Sequence, residues 1–206
     1  MMRSQIQRLF CVVLLAAFAG ACATRDGARP APVEKRDDRG FTISEDVDAG
    51  LGVRSDFRKA VEHLEAEEYE AGIALLVEVT QAAPDSTTAH IDLGIAYRHV
   101  DELEKAEQSL KRALELNPRH PAAHNEVGIV YRRTGRFEAA RESYETALDL
   151  YPEFHFARRN LAILCDVFLE DLDCAIENYE LFARAFPDDK KAAIWIADLR
   201  NRAGKD

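Results

Sequence analysis

The chain has 206 residues, of which 47% are hydrophobic and 31% charged, and its formal net charge is −10. That length fits one or two domains, with enough apolar surface for a core and enough charge for solubility. The acid excess argues against a phosphate-binding surface, because nucleic-acid binders usually carry a basic excess.

Residues 1–21 read as a targeting segment. Arg3 and Arg8 supply a positive start, and Leu9–Phe18 is a run of ten apolar residues. A membrane-spanning helix needs about 20, so this run is too short to cross. Ala19, Gly20 and Ala21 then offer small residues for cleavage before Cys22. Here the chain resembles a bacterial lipoprotein signal, in which the Cys after the cut is lipidated and becomes the N-terminus. Ala19 stands where that pattern usually has Leu, and the same three residues also fit an ordinary secretory site that cuts at the same bond. Ala23 rather than Asp follows the Cys, so the resemblance implies a lipid anchor on the periplasmic face of the outer membrane. Acyl chains at about 0.8 kcal/mol per buried CH2 make such attachment effectively permanent. Residues 22–52 are expected to form a flexible tether: Ala23–Gly40 is polar, charged and broken by Pro and Gly. Phe41–Gly52 has a few apolar residues and is ambiguous between tether and a segment lying along the first repeat.

From Val53 the sequence repeats. Pro84, Pro118 and Pro152 are 34 residues apart, and Pro187 follows 35 later. A period near 34 indicates stacked helical hairpins. Internal positions keep the same step: Leu93-Gly94 with Val127-Gly128, Tyr97 with Tyr131, Leu103 with Phe137, Ala106 with Ala140, Leu110 with Tyr144. On these residues, 90–118 and 124–152 resemble the tetratricopeptide consensus. The resemblance implies an all-α fold, a right-handed superhelix of four hairpins with a C-terminal capping helix. Its repeats would be 53–86, 87–120, 121–154 and 155–189, followed by a cap and tail over 190–206.

Gly128 sits mid-helix at a cost of roughly 1 kcal/mol relative to Ala. In the family a small pair, here Gly94 with Ala106 and Gly128 with Ala140, lets the two helices of a hairpin approach closely, and packing offsets the penalty. The first repeat carries Lys59 where Leu is usual, which suits an end repeat with no neighbour on one side. The fourth has one extra residue, expected within Leu169–Asp173.

No catalytic constellation emerges. His90 and His124 share one repeat phase, and His120 precedes Pro121, which disfavours helix and places His120 in a turn. His120 and His124 are thus not a helical metal pair, and no CxxC completes a site. The sequence has no G-x-S-x-G, GxGxxG or P-loop. The expectation is a protein that is not an enzyme, with no cofactor, no metal, no small-molecule substrate and no nucleic acid. Cys165 and Cys174 straddle the turn of the fourth hairpin, so a disulfide suits a secreted chain, with two buried free thiols as the alternative.

Binding remains. Tetratricopeptide arrays present their first helices along a concave groove, and its phases carry over as Ile91, Ile95, Arg98 and His99 in repeat two. Repeat three gives Asn125, Ile129, Arg132 and Arg133; repeat four gives Phe156, Arg159, Ile163 and Val167. Ile194 and the single Trp, Trp195, are expected toward the same side, with burial of Trp195 in the last core as the alternative. Together they predict an apolar floor with a partly basic edge. Ile91 and Ile95 stand where a chaperone-tail clamp needs Lys and Asn, so that ligand class is excluded. The resemblance extends to pilotin-type lipoproteins of type IV pili and to tetratricopeptide proteins that accompany TonB-type machinery. It implies an adaptor that binds protein or peptide segments of an envelope complex, the alternative being a docking regulator of cell-wall hydrolases.

Overall fold

The computed structural model describes residues 33–37, 40–44 and 49–205. The expected signal and Cys22 lie outside the described residues. Two short strands, β1 (Val33–Asp37) and β2 (Gly40–Ser44), pair antiparallel with Val33 opposite Ser44 and Asp37 opposite Gly40. Both strands fall within 22–52, where the sequence leads to the expectation of a flexible tether. Val33, Phe41, Thr42 and Ile43 are strand formers, and a backbone ladder forms without the apolar periodicity whose absence suggested a tether.

The rest of the described chain is helical. Its elements are α1 (Leu51–Glu65), α2 (Tyr69–Ala82), α3 (Thr87–His99), α4 (Leu103–Leu116), α5 (Pro121–Arg133), α6 (Phe137–Leu150), α7 (His155–Val167), α8 (Leu172–Ala185) and α9 (Lys190–Arg202). Consecutive pairs from α1 to α8 form four hairpins, each hairpin packs on the next, and α9 packs on α8. This is the all-α superhelical stack of four hairpins with a terminal capping helix.

Repeat-equivalent residues terminate these helices alike. Ser86, His120 and Asp189 each stand just before a first helix and accept backbone N–H bonds through a side-chain atom. These satisfy donors that a helix start leaves orphaned. Each hairpin turn also uses one left-handed residue: Glu67 (φ 61°), Asp101 (65°), Gly135 (77°) and Glu170 (53°). The fourth turn, Phe168 to Asp171, is one residue longer than Thr134 to Arg136 in the third. There Cys165 and Cys174 are joined by a disulfide, with their Cα atoms 5.9 Å apart.

The glycines have a more specific cause than a general closeness of axes. A Cβ on Gly128 would stand 2.5 Å from the Tyr144 ring, and one on Gly94 2.6 Å from Leu110. Each Gly therefore makes the socket for one large, fully buried side chain of the second helix. Ala106 and Ala140, also fully buried, complete those cores.

Candidate partner-binding face

The first helices α3, α5 and α7 lie side by side. Ile95, Ile129 and Ile163, one per helix at a common phase, pack against the core while remaining partly exposed. Ile91 and Asn125 depart from the sequence expectation: they are 5% and 4% exposed, so they belong to the interior. Ile91 belongs to the core formed with α4 and α5, and Asn125 is held by Glu126 and by Asn160 of α7.

The arginines are mostly occupied. Arg98 Nε donates to Glu126 Oε2 at 3.0 Å, across from α3 to α5, and both side chains are largely buried. Asn125 Nδ2 donates to the other Glu126 oxygen at 3.1 Å, and Asn160 of α7 donates to Asn125 Oδ1 at 2.9 Å. Arg133 donates to Asp101 at 2.7 Å and to the Arg98 carbonyl at 2.6 Å. His99 stacks on Tyr69 of α2, ring centroids 4.3 Å apart. The expected basic edge is thus reduced to Arg132 and the exposed Arg159. No carboxylate among the described residues pairs with Arg132, which reaches over Phe168 at the end of α7, 5.8 Å from the ring centroid. Its guanidinium lies beside the buried Tyr144 hydroxyl, whose pKa burial pushes up to about 12.

Asp92 is the acid that sequence reasoning missed. It stands on α3 at the repeat phase of Glu126, and no described residue donates to it. Burial and the adjacent Glu126 carboxylate push its carboxyl up to about 7. Burial also raises Glu126, against the pull of Arg98. The clue was available: Asp92, Glu126 and Asn160 recur at the 34-residue step, a polar column beside the apolar one.

Toward the C-terminal end, Phe156 is partly buried beside Phe154 and Ala157, and Val167 is 60% exposed. Ile194 is 67% exposed. Trp195 is only partly buried and packs on Tyr179, ring centroids 5.2 Å apart, at the margin of the last core. It therefore has a structural contact whatever else it does.

The histidines take structural places. His90 and His124 bond the carbonyls of Pro84 and Pro118 at 3.1 and 2.9 Å, and Arg158 bonds Pro152 at the same phase. Among the described residues, Cys165, Asp171 and Cys174 are the group with metal-ligand proximity. Its sulfurs are bonded to each other, and Asp171 is engaged by Cys174 N–H and Arg141.

Residues 85–153 match the tetratricopeptide repeat family. Among curated proteins, none matches the sequence. Among solved structures, pilF of Pseudomonas aeruginosa superposes with a TM-score of 0.67 at 21% identity, covering 74% of this chain and 69% of that one. MamA of Desulfovibrio magneticus, from residue 41 to its end, gives 0.66 at 18% identity, covering 76% and 88%. The first tetratricopeptide domain of Spaghetti (RPAP3), bound to an HSP90 peptide, gives 0.56 at 20% identity, covering 60% and 98%. At these identities the likeness is one of fold. The matched residues 85–153, with the hairpins on either side, form a helical array that has the fold seen in tetratricopeptide-repeat proteins.

Proposed function

We propose that the protein is a non-catalytic adaptor that binds a protein segment across α3, α5 and α7. The observation that carries this is a face with partly exposed Ile95, Ile129 and Ile163 beside Asp92, Arg132 and Arg159, which have no ion-pair partner among the described residues. Such a surface has apolar area to bury and polar groups to satisfy, the two ingredients of a binding interface. The peptide-bound state of the RPAP3 domain supports the reading by analogy of fold.

The adaptor is placed at the outer membrane, held by Cys22 and facing the periplasm, where it helps to assemble an envelope complex of the pilus, secretion or TonB type. The likeness of the N-terminal 22 residues to a lipoprotein signal supports this placement, as does the compatibility of a Cys165–Cys174 disulfide with an oxidising compartment. Fractionation tests the anchor: wild type sediments with membranes and Cys22→Ser is released. Soluble wild type overturns the anchor. Co-purification from detergent-solubilised membranes tests the adaptor: pilus, pore or motor subunits are expected to copurify. Arg159→Glu, at an exposed position free of ion pairs among the described residues, is expected to weaken that recovery while the melting temperature holds. Unchanged recovery would move the binding surface off this face.

A further inference from the structure

The charged column across the first helices follows a rule that the sequence applies out of step. One repeat phase holds Leu64, Arg98, Arg132 and Asp166; the phase it reaches on the next first helix holds Asp92, Glu126, Asn160 and Trp195. In the middle, Arg98 meets Glu126 at 3.0 Å. One step earlier, Leu64 offers no cation to Asp92, because it packs into the socket at Gly72 of its own hairpin. One step later, Arg132 faces a phase where the carboxylate has become Asn160, and Asn160 is turned to Asn125. The following pair is closed by other means, since Asp166 is bonded by Arg202 of α9 at 2.7 Å.

A satisfied ion pair is therefore flanked by an unmatched carboxylate on the α3 side and an unmatched guanidinium on the α7 side. Unmatched charges in partly buried surroundings cost free energy that a bound counter-charge recovers. Beneath the column, the fully buried Tyr144 hydroxyl faces Arg132, a neutral group that leaves the charge of the guanidinium uncancelled.

We propose that this face reads charge order in its partner: a Lys or Arg of an extended protein segment docks on Asp92, and an Asp or Glu of the same segment docks on Arg132. The inference rests on the reading of this face as the partner-binding surface. Asp92 is on α3 and Arg132 on the adjacent α5, one axis spacing of about 8–10 Å across and, since Arg132 stands six residues beyond the phase of Asp92, about 9 Å along the helix at about 1.5 Å per residue. Extended chain advances about 3.3 Å per residue. The basic and acidic residues of the partner are then about three to six positions apart, with apolar side chains between them over Ile95 and Ile129. The order of charges also fixes the direction of the segment, basic end toward α1.

A random dodecapeptide library displayed on phage, selected on the purified full-length chain, tests this. Recovered peptides are expected to carry the basic–acidic pair at that spacing. Asp92→Asn, which keeps the shape of a protonated Asp92, lowers the enrichment of Lys and Arg at least tenfold while leaving the acidic preference. Arg132→Gln does the converse, and Asp92→Lys selects an acidic residue at the formerly basic position. Thermal melts of each variant confirm that it is folded, and a variant that does not fold is replaced by Asp92→Ser or Arg132→Met. Peptides that bind without the charge pair, or preferences unmoved by the substitutions, overturn the charge reading and leave the adaptor face standing. Failure to recover any peptide overturns both.

Discussion

A neutral imidazole begins α5. His120 is 3% exposed, and its Nδ1 accepts the Ala123 N–H at 3.3 Å, a role that the protonated ring cannot fill. Burial accordingly pushes its pKa down to about 4 from an ordinary 6.5. The stability it contributes is fully present above pH 6.5 and is lost as pH falls from there toward 4. Between pH 7 and 4.5 that amounts to roughly 2–3 kcal/mol, at 1.4 kcal/mol per unit. His120→Ser, which copies the Ser86 cap, is expected to remove this step, seen as a smaller drop in melting temperature across that range. Asp92 acts in the opposite sense: its raised pKa means stability present at low pH and lost as pH rises toward 7. At Gly128 the expectation is steric. Gly128→Ala gains roughly 1 kcal/mol of helix propensity, but it meets the buried Tyr144 ring, and overpacking costs about 1–3 kcal/mol. A urea midpoint below wild type is the expected net result, and a midpoint above it would show that the ring can move.

Turns and staples decide how each hairpin closes. Glu67 holds a left-handed backbone at φ 61° where the third repeat uses Gly135. A side chain there costs roughly 1–2 kcal/mol, partly offset by the greater unfolded-state freedom of Gly. Glu67→Gly is expected to raise stability by up to about 1 kcal/mol in denaturant unfolding, less whatever its neighbours lose. The fourth hairpin has the longer turn and the disulfide, whose two cysteines are nine residues apart. The chain-entropy relation assigns such a loop about 2–3 kcal/mol. Cys165→Ser with Cys174→Ser is expected to lose that much. Alkylation mass spectrometry without reductant should find neither thiol free in protein from an oxidising compartment.

At the scale of the molecule, the array is held by neighbour contacts alone, so its ends matter. Arg136 makes a bidentate pair with Glu107 across repeats, at 3.0 and 2.6 Å, and holds that carboxyl down at about 2. Its residues are exposed enough for solvent to blunt the gain. The apolar contacts of α9 carry more: Leu199 and Ala192 are almost fully buried, and Trp195 rests on Tyr179. Deletion of residues 190–206 is expected to lower the melting temperature and to cause concentration-dependent association in sedimentation velocity, because it uncovers the margin of the last core. Trp195→Ala is expected to lower stability as well, by less than the roughly 3–5 kcal/mol of a fully buried site. That outcome separates its packing role from the partner role first expected of it.

The sequence by itself determined the repeat and the places of Gly94 and Gly128, because period and small-residue phase follow from local helix geometry. It also located Cys165 and Cys174 on either side of one turn. It did not determine that Ile91 and Asn125 are interior, since the phase rule for one helix ignores what the next repeat brings against it. Only the tertiary structure decided which charges cancel. Arg98, Arg132 and Arg133 look alike along the chain; Arg98 and Arg133 meet carboxylates on neighbouring elements, and Arg132 meets none among the described residues. Asp92 is unremarkable as a residue type and becomes a candidate anchor only because burial and the Glu126 carboxylate surround it and no cation among the described residues pairs with it. Charge pairing is a property of three-dimensional neighbours, and a linear pattern fixes it only where every repeat is the same.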